Sequence, residues 1–204
     1  VIVYVESNFI LELAFIREEY ESCEQIIDLA KSNQVDLILP AYSIGEPYEA
    51  QVRREKRRVA LHSQLIQEIK ELSRSKPYSD FMKDSQEITD LLIRSNEEER
   101  KRLDVALSEI LTLADIIPIE ADVIKSAISF QNSLNLSPQD AIVYASVVTH
   151  LESTVSEPKC FLTKNAKDFV NPDIIEQLAA YDCKLLTKFE DGLGYIQSHV
   201  NETT

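Results

Sequence analysis

The chain has 204 residues, of which 44% are hydrophobic and 27% charged, and its formal net charge is −14. That length suits one large α/β domain with an insertion, able to bury a core without cross-links. No apolar run approaches the roughly 18 residues that cross a bilayer, and a uniformly acidic surface repels phosphates, so any nucleic-acid site has to be local.

Cys23, Cys160 and Cys183 are odd in number and show no paired spacing, and His62, His150 and His199 are each isolated. A disulfide framework and a zinc site are therefore not indicated. Gly45, Gly192 and Gly194 fall in neither a dinucleotide nor a P-loop spacing, which excludes both phosphate cradles. A first strand that starts at Val1 leaves no room for a leader segment, so a cytoplasmic location without membrane contact is expected.

In chain order, apolar and β-branched runs predict strands at residues 1–5, 35–39, 116–119, 160–163 and 184–187. Helical periodicity between them implies a parallel sheet with helices on its faces. Residues 8–19 place Phe9, Leu13 and Ile16 on one face, and Cys23, Ile26, Ile27 and Ala30 continue the pattern after a break near Glu21. Residues 43–73 and 84–114 read as two long, charge-rich helices joined near Lys76-Pro77-Tyr78. They form a helical hairpin, residues 50–114, inserted into a single domain of residues 1–200. Residues 121–131, 138–151, 172–181 and 189–199 supply later helices, and 201–204 reads as a frayed end.

Four acids sit where elements meet. Glu6 follows the first strand, and Glu46, Asp140 and Asp168 lie in YSIGEP, LSPQDAIVYAS and LTKNAKDF. In open parallel sheets ligands bind beyond the carboxyl ends of the strands, so Glu6, Glu46 and the 165–168 turn are expected on one rim, with Asp140 arriving from a helix start. Each acid also has an ordinary reading. Ser43-Ile-Gly-Glu46 and Ser137-Pro-Gln-Asp140 match helix-start capping boxes, and Asn165-Ala-Lys-Asp168 has the same spacing. Yet the helices at Ala121 and Pro172 start without that pattern, so the four acids are a selected set. Carboxylates gathered at one rim repel unless a cation sits among them. Oxygen ligands suit Mg²⁺ or Mn²⁺, and such a metal can generate hydroxide and offset charge on a phosphate oxygen. Phosphodiester hydrolysis is the chemistry expected.

These residues resemble the PIN-domain nucleases. The resemblance runs through Glu6-Ser7-Asn8 after the first strand, Glu46, Ser137-Pro-Gln-Asp140-Ala141 with Ala145, and Leu162-Thr163-Lys164-Asn165-Ala166-Lys167-Asp168-Phe169. It spans nearly the whole chain apart from the hairpin. It implies a three-layer α/β/α sandwich with a central parallel sheet of about five strands, and a metal-dependent endoribonuclease acting on RNA. Glu6, Glu46, Asp140 and Asp168 would be the catalytic acids. With Asn165 they would hold the Mg²⁺ or Mn²⁺, supported by Ser7, Asn8 and Thr163. Many relatives are toxins of toxin-antitoxin pairs, which implies an antitoxin partner. The sequence departs from the family at two points. Glutamate stands at 6 in place of the usual aspartate, pushing the carboxylate out by roughly 1.5 Å, and the fourth acidic position falls on Asn165.

An acidic protein needs local cations to hold RNA. Arg53, Arg54, Lys56, Arg57 and Arg58 put five cations in six residues, two turns after Glu46, and Arg100-Lys101-Arg102 forms a second run. Their functional reading is phosphate contact; the ordinary reading is a solvated face paired with glutamates such as Glu97-Glu98-Glu99. Leu61, Leu65, Ile69 and Leu72 of the hairpin are candidates for homodimer contacts. Two other readings compete with the nuclease. One is a PIN-like scaffold without catalysis that binds RNA or protein, which Glu6 and Asn165 keep open. The other is a phosphate-accepting signalling domain, which needs a central strand-end Asp and a late lysine; only Lys188 fits the second requirement.

Overall fold

The computed structural model describes residues 1–78, 85–154 and 157–202. Among them five strands form: β1 (Ile2–Val5), β2 (Asp36–Pro40), β3 (Asp115–Ile117), β4 (Lys159–Leu162) and β5 (Cys183–Leu186). All pair in parallel in the order β3-β2-β1-β4-β5. A central parallel strand is covered on both faces and reads as continuous apolar sequence; β1 is Ile-Val-Tyr-Val, buried throughout.

Strand alternation divides these side chains between two cores. Val3, Val5, Leu37, Leu39, Cys160 and Leu162 face one side, against α1 (Ser7–Phe15), α2 (Tyr20–Lys31), α4 (Ser85–Leu113) and α9 (Phe189–Glu202). Ile2, Tyr4, Ile38 and Phe161 face the other, against α5 (Ala121–Ser133), α6 (Pro138–Ser153), α7 (Ala166–Phe169) and α8 (Pro172–Ala179). The result is the three-layer α/β/α sandwich expected.

The first helix ends earlier than its periodicity predicts. Ile16 adopts a left-handed conformation (φ 46°, ψ 62°), and its N–H turns back to Glu12 O and Leu13 O. A β-branched residue there is strained by roughly 1 to 3 kcal/mol. The break therefore falls at residues 16–19, ahead of Tyr20, instead of near Glu21. The third strand spans 115–117 against an expected 116–119. Position 84, the expected start of the second hairpin helix, lies outside the described residues, as do 203–204 of the expected frayed end; 201–202 close α9.

The long hairpin consists of α3 (Gly45–Ser73), which follows a 3-10 turn at Ala41–Ile44, and α4. Of α3 only Pro47 and Gln51 are buried, whereas Leu103, Ala106, Leu107 and Ile110 of α4 belong to the first core. A charged junction joins the two helices. Arg58 donates from both terminal nitrogens to Glu99 (2.8 and 2.7 Å) and to Asn96 (3.1 Å), and Arg54 donates to Glu99 at 2.9 Å. Arg54 also lies 4.4 Å from the Phe15 ring centroid, which ties the junction to α1. Burial pushes the Glu99 carboxyl up, but the Arg58 hydrogen bonds and the two guanidinium charges outweigh it and hold the group below its ordinary range. That stabilisation is present above the unfolded value of about 4.3 and is lost as pH falls through the lower folded value. E99Q should therefore cost about 2 kcal/mol at pH 7, or roughly 4 to 8 °C of Tm for a chain of this size. In thermal melts the gap to wild type should close as pH is lowered towards 3.

Candidate active site

Glu6 stands directly after β1 and is itself the N-cap of α1. One carboxylate oxygen accepts the Asn8 backbone N–H (3.0 Å) and the Ser7 hydroxyl (2.8 Å); the other accepts the Asn8 side-chain amide (2.8 Å). The Thr163 hydroxyl lies beside this carboxylate, one residue past the Val5–Leu162 register pair, and favours its charged form. The cap is thus Glu6 and not Ser7, and Asn8 is the residue that orients the carboxylate. Glu6 is 5% exposed. Burial raises its pKa, and the bonds from Asn8 and Ser7, with the Thr163 hydroxyl, reverse only part of that rise. An acid sits at the end of a buried strand because three donors from the first turn of α1 converge on it.

Asp140 comes from the start of α6 and has donors of its own. Its backbone N–H bonds the N-capping Ser137 hydroxyl oxygen at 3.1 Å, and that hydroxyl donates to Asp140 Oδ2 at 2.5 Å. Half of the expected capping box forms: Ser137 caps the helix, but Asp140 accepts from the Ser137 hydroxyl and not from its backbone N–H. Asp140 Oδ1 accepts from the Asn165 side chain at 2.9 Å, and Asn165 N–H donates to Thr163 Oγ1 at 3.0 Å. Hydrogen bonds therefore link Thr163 through Asn165 to Asp140, and the pairing of Val5 with Leu162 sets Thr163 beside Glu6. Asn165 turns its amide nitrogen towards Asp140. Sharing a cation with Asp140 would require a half-turn of that amide to present its oxygen.

Glu46 lies in the first turn of α3, half-buried. The other two expected capping boxes do not form. α3 has no side-chain cap, the Ser43 hydroxyl is buried without a partner, and Asn165 does not cap α7. Burial raises the Tyr42 phenol, and the charges of Glu46, Glu49 and Asp140 raise it further. One tyrosine thus lies in the field of Glu46 and Asp140 together. Asp168 is half-buried on α7, and neither of the bonds linking Thr163 to Asp140 involves its carboxylate. All these donors are oxygens, as a hard cation requires. Among the described residues, however, no group of three or more His, Cys, Asp or Glu side chains is gathered closely enough to hold a metal ion.

Sequence reasoning missed the ion cluster beside these residues. Lys164 Nζ lies 3.1 Å from Glu12 Oε1 and 3.1 Å from Glu19 Oε2. Burial lowers the ammonium pKa, but the paired carboxylates of Glu19 and Glu12 more than reverse this and raise it overall. The available signal was Glu12 itself, a carboxylate in the middle of the apolar run Phe9-Ile-Leu-Glu-Leu-Ala-Phe15. Of the first basic run, Arg54 and Arg58 are held by Glu99. Arg53, Lys56 and Arg57 are exposed, and Arg53 makes only a loose pair with Glu49 at 3.7 Å.

Candidate acids past the carboxyl ends of the strands of a parallel α/β/α sheet stand where ligands bind in open α/β folds. Within that class of fold, this chain belongs to the PIN domain family, whose model matches residues 3–169. PIN domains are in general metal-dependent nucleases. No curated protein matches the chain. The crystal structure of VapBC2 from Rickettsia felis bound to a DNA fragment from their promoter contains a similar chain, with 13% identity and a TM-score of 0.45, covering 91% of this chain and 99% of that one. That overlap is too loose to match individual residues. No helix among the described residues is long and apolar enough to cross a membrane.

The raised Glu6 pKa makes a signed prediction for the metal-free protein. A carboxyl whose folded value exceeds its unfolded one loses stability as pH rises above about 4.3. E6Q does not titrate. Its Tm relative to wild type should therefore climb between pH 4 and 7 when both are melted in EDTA, whatever constant offset the amide introduces.

Proposed function

We propose that this chain is a divalent-metal-dependent endoribonuclease. The observation that carries the reading is the strand register that sets Glu6, at the end of the central strand, beside Thr163, which is linked by hydrogen bonds through Asn165 to Asp140 at the start of α6, in a chain of the PIN domain family. Glu6, Glu46, Asp140 and Asp168 would hold Mg²⁺ or Mn²⁺, with Asn165 as a neutral donor. Bound there, the ion would supply a water ionised near neutral pH and a counter-charge for a phosphate oxygen. Mg²⁺ commonly rests on one or two carboxylates, with water and substrate phosphates completing its shell; a preformed pair of acids suits that mode better than a closed cage. Ser7, Asn8 and Thr163 would keep the Glu6 carboxylate aimed while Asp140 carries the opposite side. The exposed Arg53, Lys56 and Arg57 would contact RNA phosphates, whereas Arg54 and Arg58 serve α3–α4 packing. The role of a toxin held by an antitoxin protein rests on the family alone, and a homodimer through the hairpin is part of the same reading.

A second reading is favoured by two observations: the Asn165 amide occupies Asp140, and among the described residues no three metal-type side chains gather closely enough to hold an ion. In that case the chain is a PIN-like binding module without catalysis.

Single-stranded RNA incubated with the protein and Mn²⁺ should be cut to products with 5′-phosphate ends, and EDTA should stop the reaction. Mn²⁺ should raise the wild-type Tm, since a ligand stabilises only the fold that binds it. D140N and E46Q should lose most of that rise together with cleavage. A wild-type protein that neither responds to Mn²⁺ nor cuts RNA is the binding module.

Neutralising Arg53, Lys56 and Arg57 to glutamine should weaken RNA binding and flatten its salt dependence, by a slope of roughly 0.7 per lost contact on a single strand. Glutamine at Arg54 and Arg58 should instead lower Tm, with a smaller effect on that slope.

A further inference from the structure

Thr163, Lys164 and Asn165 follow β4, and their side chains reach three different elements. The β1–β4 register sets Thr163 beside Glu6, Asn165 donates to Asp140 on α6, and between them Lys164 meets Glu12 on α1 and Glu19 ahead of α2. Only the middle contact touches neither candidate acid. Its partners are themselves immobilised. Glu12 is 2% exposed, and its second oxygen accepts the Glu19 backbone N–H at 3.1 Å. Glu19 Oε1 in turn accepts the Phe189 N–H at the start of α9, at 3.0 Å. Lys164 and Glu12 line the same surface cleft as Asn8, whose amide aims Glu6.

Among the described residues, Glu12 Oε1 has, besides Lys164 at 3.1 Å, only the looser Arg17 Nη1 at 4.0 Å as a cation. A buried carboxylate that loses its near partner is costly, so the lysine cannot leave Glu12 cheaply. Consecutive Cα atoms are about 3.8 Å apart, so wherever Lys164 is held, Thr163 and Asn165 are held with it. The geometry points to Lys164 as a positioning residue that, through its ion pair with Glu12 and Glu19, sets the separation of Glu6 and Asp140. A direct phosphate contact by the same lysine is disfavoured, because two carboxylates already neutralise it. The inference deepens the nuclease reading and rests on it for its kinetic consequence, though not for its structural one.

The test compares the full-length wild type with K164M and K164R, at a temperature well below every Tm. K164M should lower kcat and Mn²⁺ affinity by roughly tenfold, the loss typical of groups that orient ligands from behind, with KM for RNA changed less than twofold. K164R, whose guanidinium can span both acids, should recover most of the loss. In metal-free ¹⁵N-labelled protein the Asn165 side-chain NH₂ resonances should move in K164M and return in K164R. Should K164M fail to fold, E12Q, which keeps an acceptor for Glu19 N–H, should show the same changes in smaller degree. A folded K164M with wild-type kcat, Mn²⁺ affinity and Asn165 resonances overturns the inference. So does a K164M that raises KM and flattens the salt dependence with kcat unchanged, which would make Lys164 a phosphate contact. If the wild type cuts no RNA, the nuclease reading fails on its own, and the Asn165 resonances alone decide the positioning role.

Discussion

The site depends on the way β1 is paired. It is hydrogen-bonded in parallel to β2 on one side and β4 on the other, and Val5 is in register with Leu162. The next residue of each strand is then Glu6 and Thr163, held side by side because adjacent strands lie about 4.8 Å apart. A slip of one residue would turn the core side chains of β1 to the opposite face and would also separate the carboxylate from its hydroxyl. The same pairing that buries Val3 and Val5 therefore delivers the first acid to its donors. Parallel strands require crossover connections, and those connections place α1, α3 and α7 just past the strand ends, where the candidate acids lie.

A net charge of −14 makes the placement of cations as informative as that of acids. Several cations are used internally. Arg54 and Arg58 satisfy Glu99, Lys164 satisfies Glu12 and Glu19, and Arg102 donates to the Ala14 carbonyl. Each ties an element that would otherwise pack weakly: α3, which buries little of its own, the turn after β4, and the end of α1. Arg53, Lys56 and Arg57, exposed on α3, are what remains of the first basic run for an external anion. A cluster that looks uniform in sequence thus divides by helix face, with positions 54 and 58, one turn apart, turned towards α4 and the intervening cations turned outward.

The family pattern was legible because each of its parts is local. Glu6-Ser7-Asn8, Ser137-Pro-Gln-Asp140 and Leu162-Thr163-Lys164-Asn165 each combine an element boundary with an oxygen-bearing side chain, and the chemistry of such residues can be read without coordinates. The capping boxes show the limit of that approach. Three had the right spacing, and only Ser137–Asp140 formed, and that by half. A 3-10 turn ahead of α3 carries Ser43 away from the cap position, and the Asn165 side chain, its amide nitrogen turned to Asp140, makes no cap bond to its own helix. Spacing states which bond can form, and competition from a distant partner decides whether it does.

What the sequence determined by itself were the strands, the parallel α/β class, the long hairpin and the order of the acids, because hydrophobic periodicity and boundary residues act over a few positions. The tertiary structure alone decided three things. Glu6 is a buried cap, Glu12 and Lys164 pair across 152 residues, and Arg54 and Arg58 face inward. Each depends on which remote group is brought within about 3 Å of a charge that has lost its water, and a buried charge takes whichever partner the packing supplies.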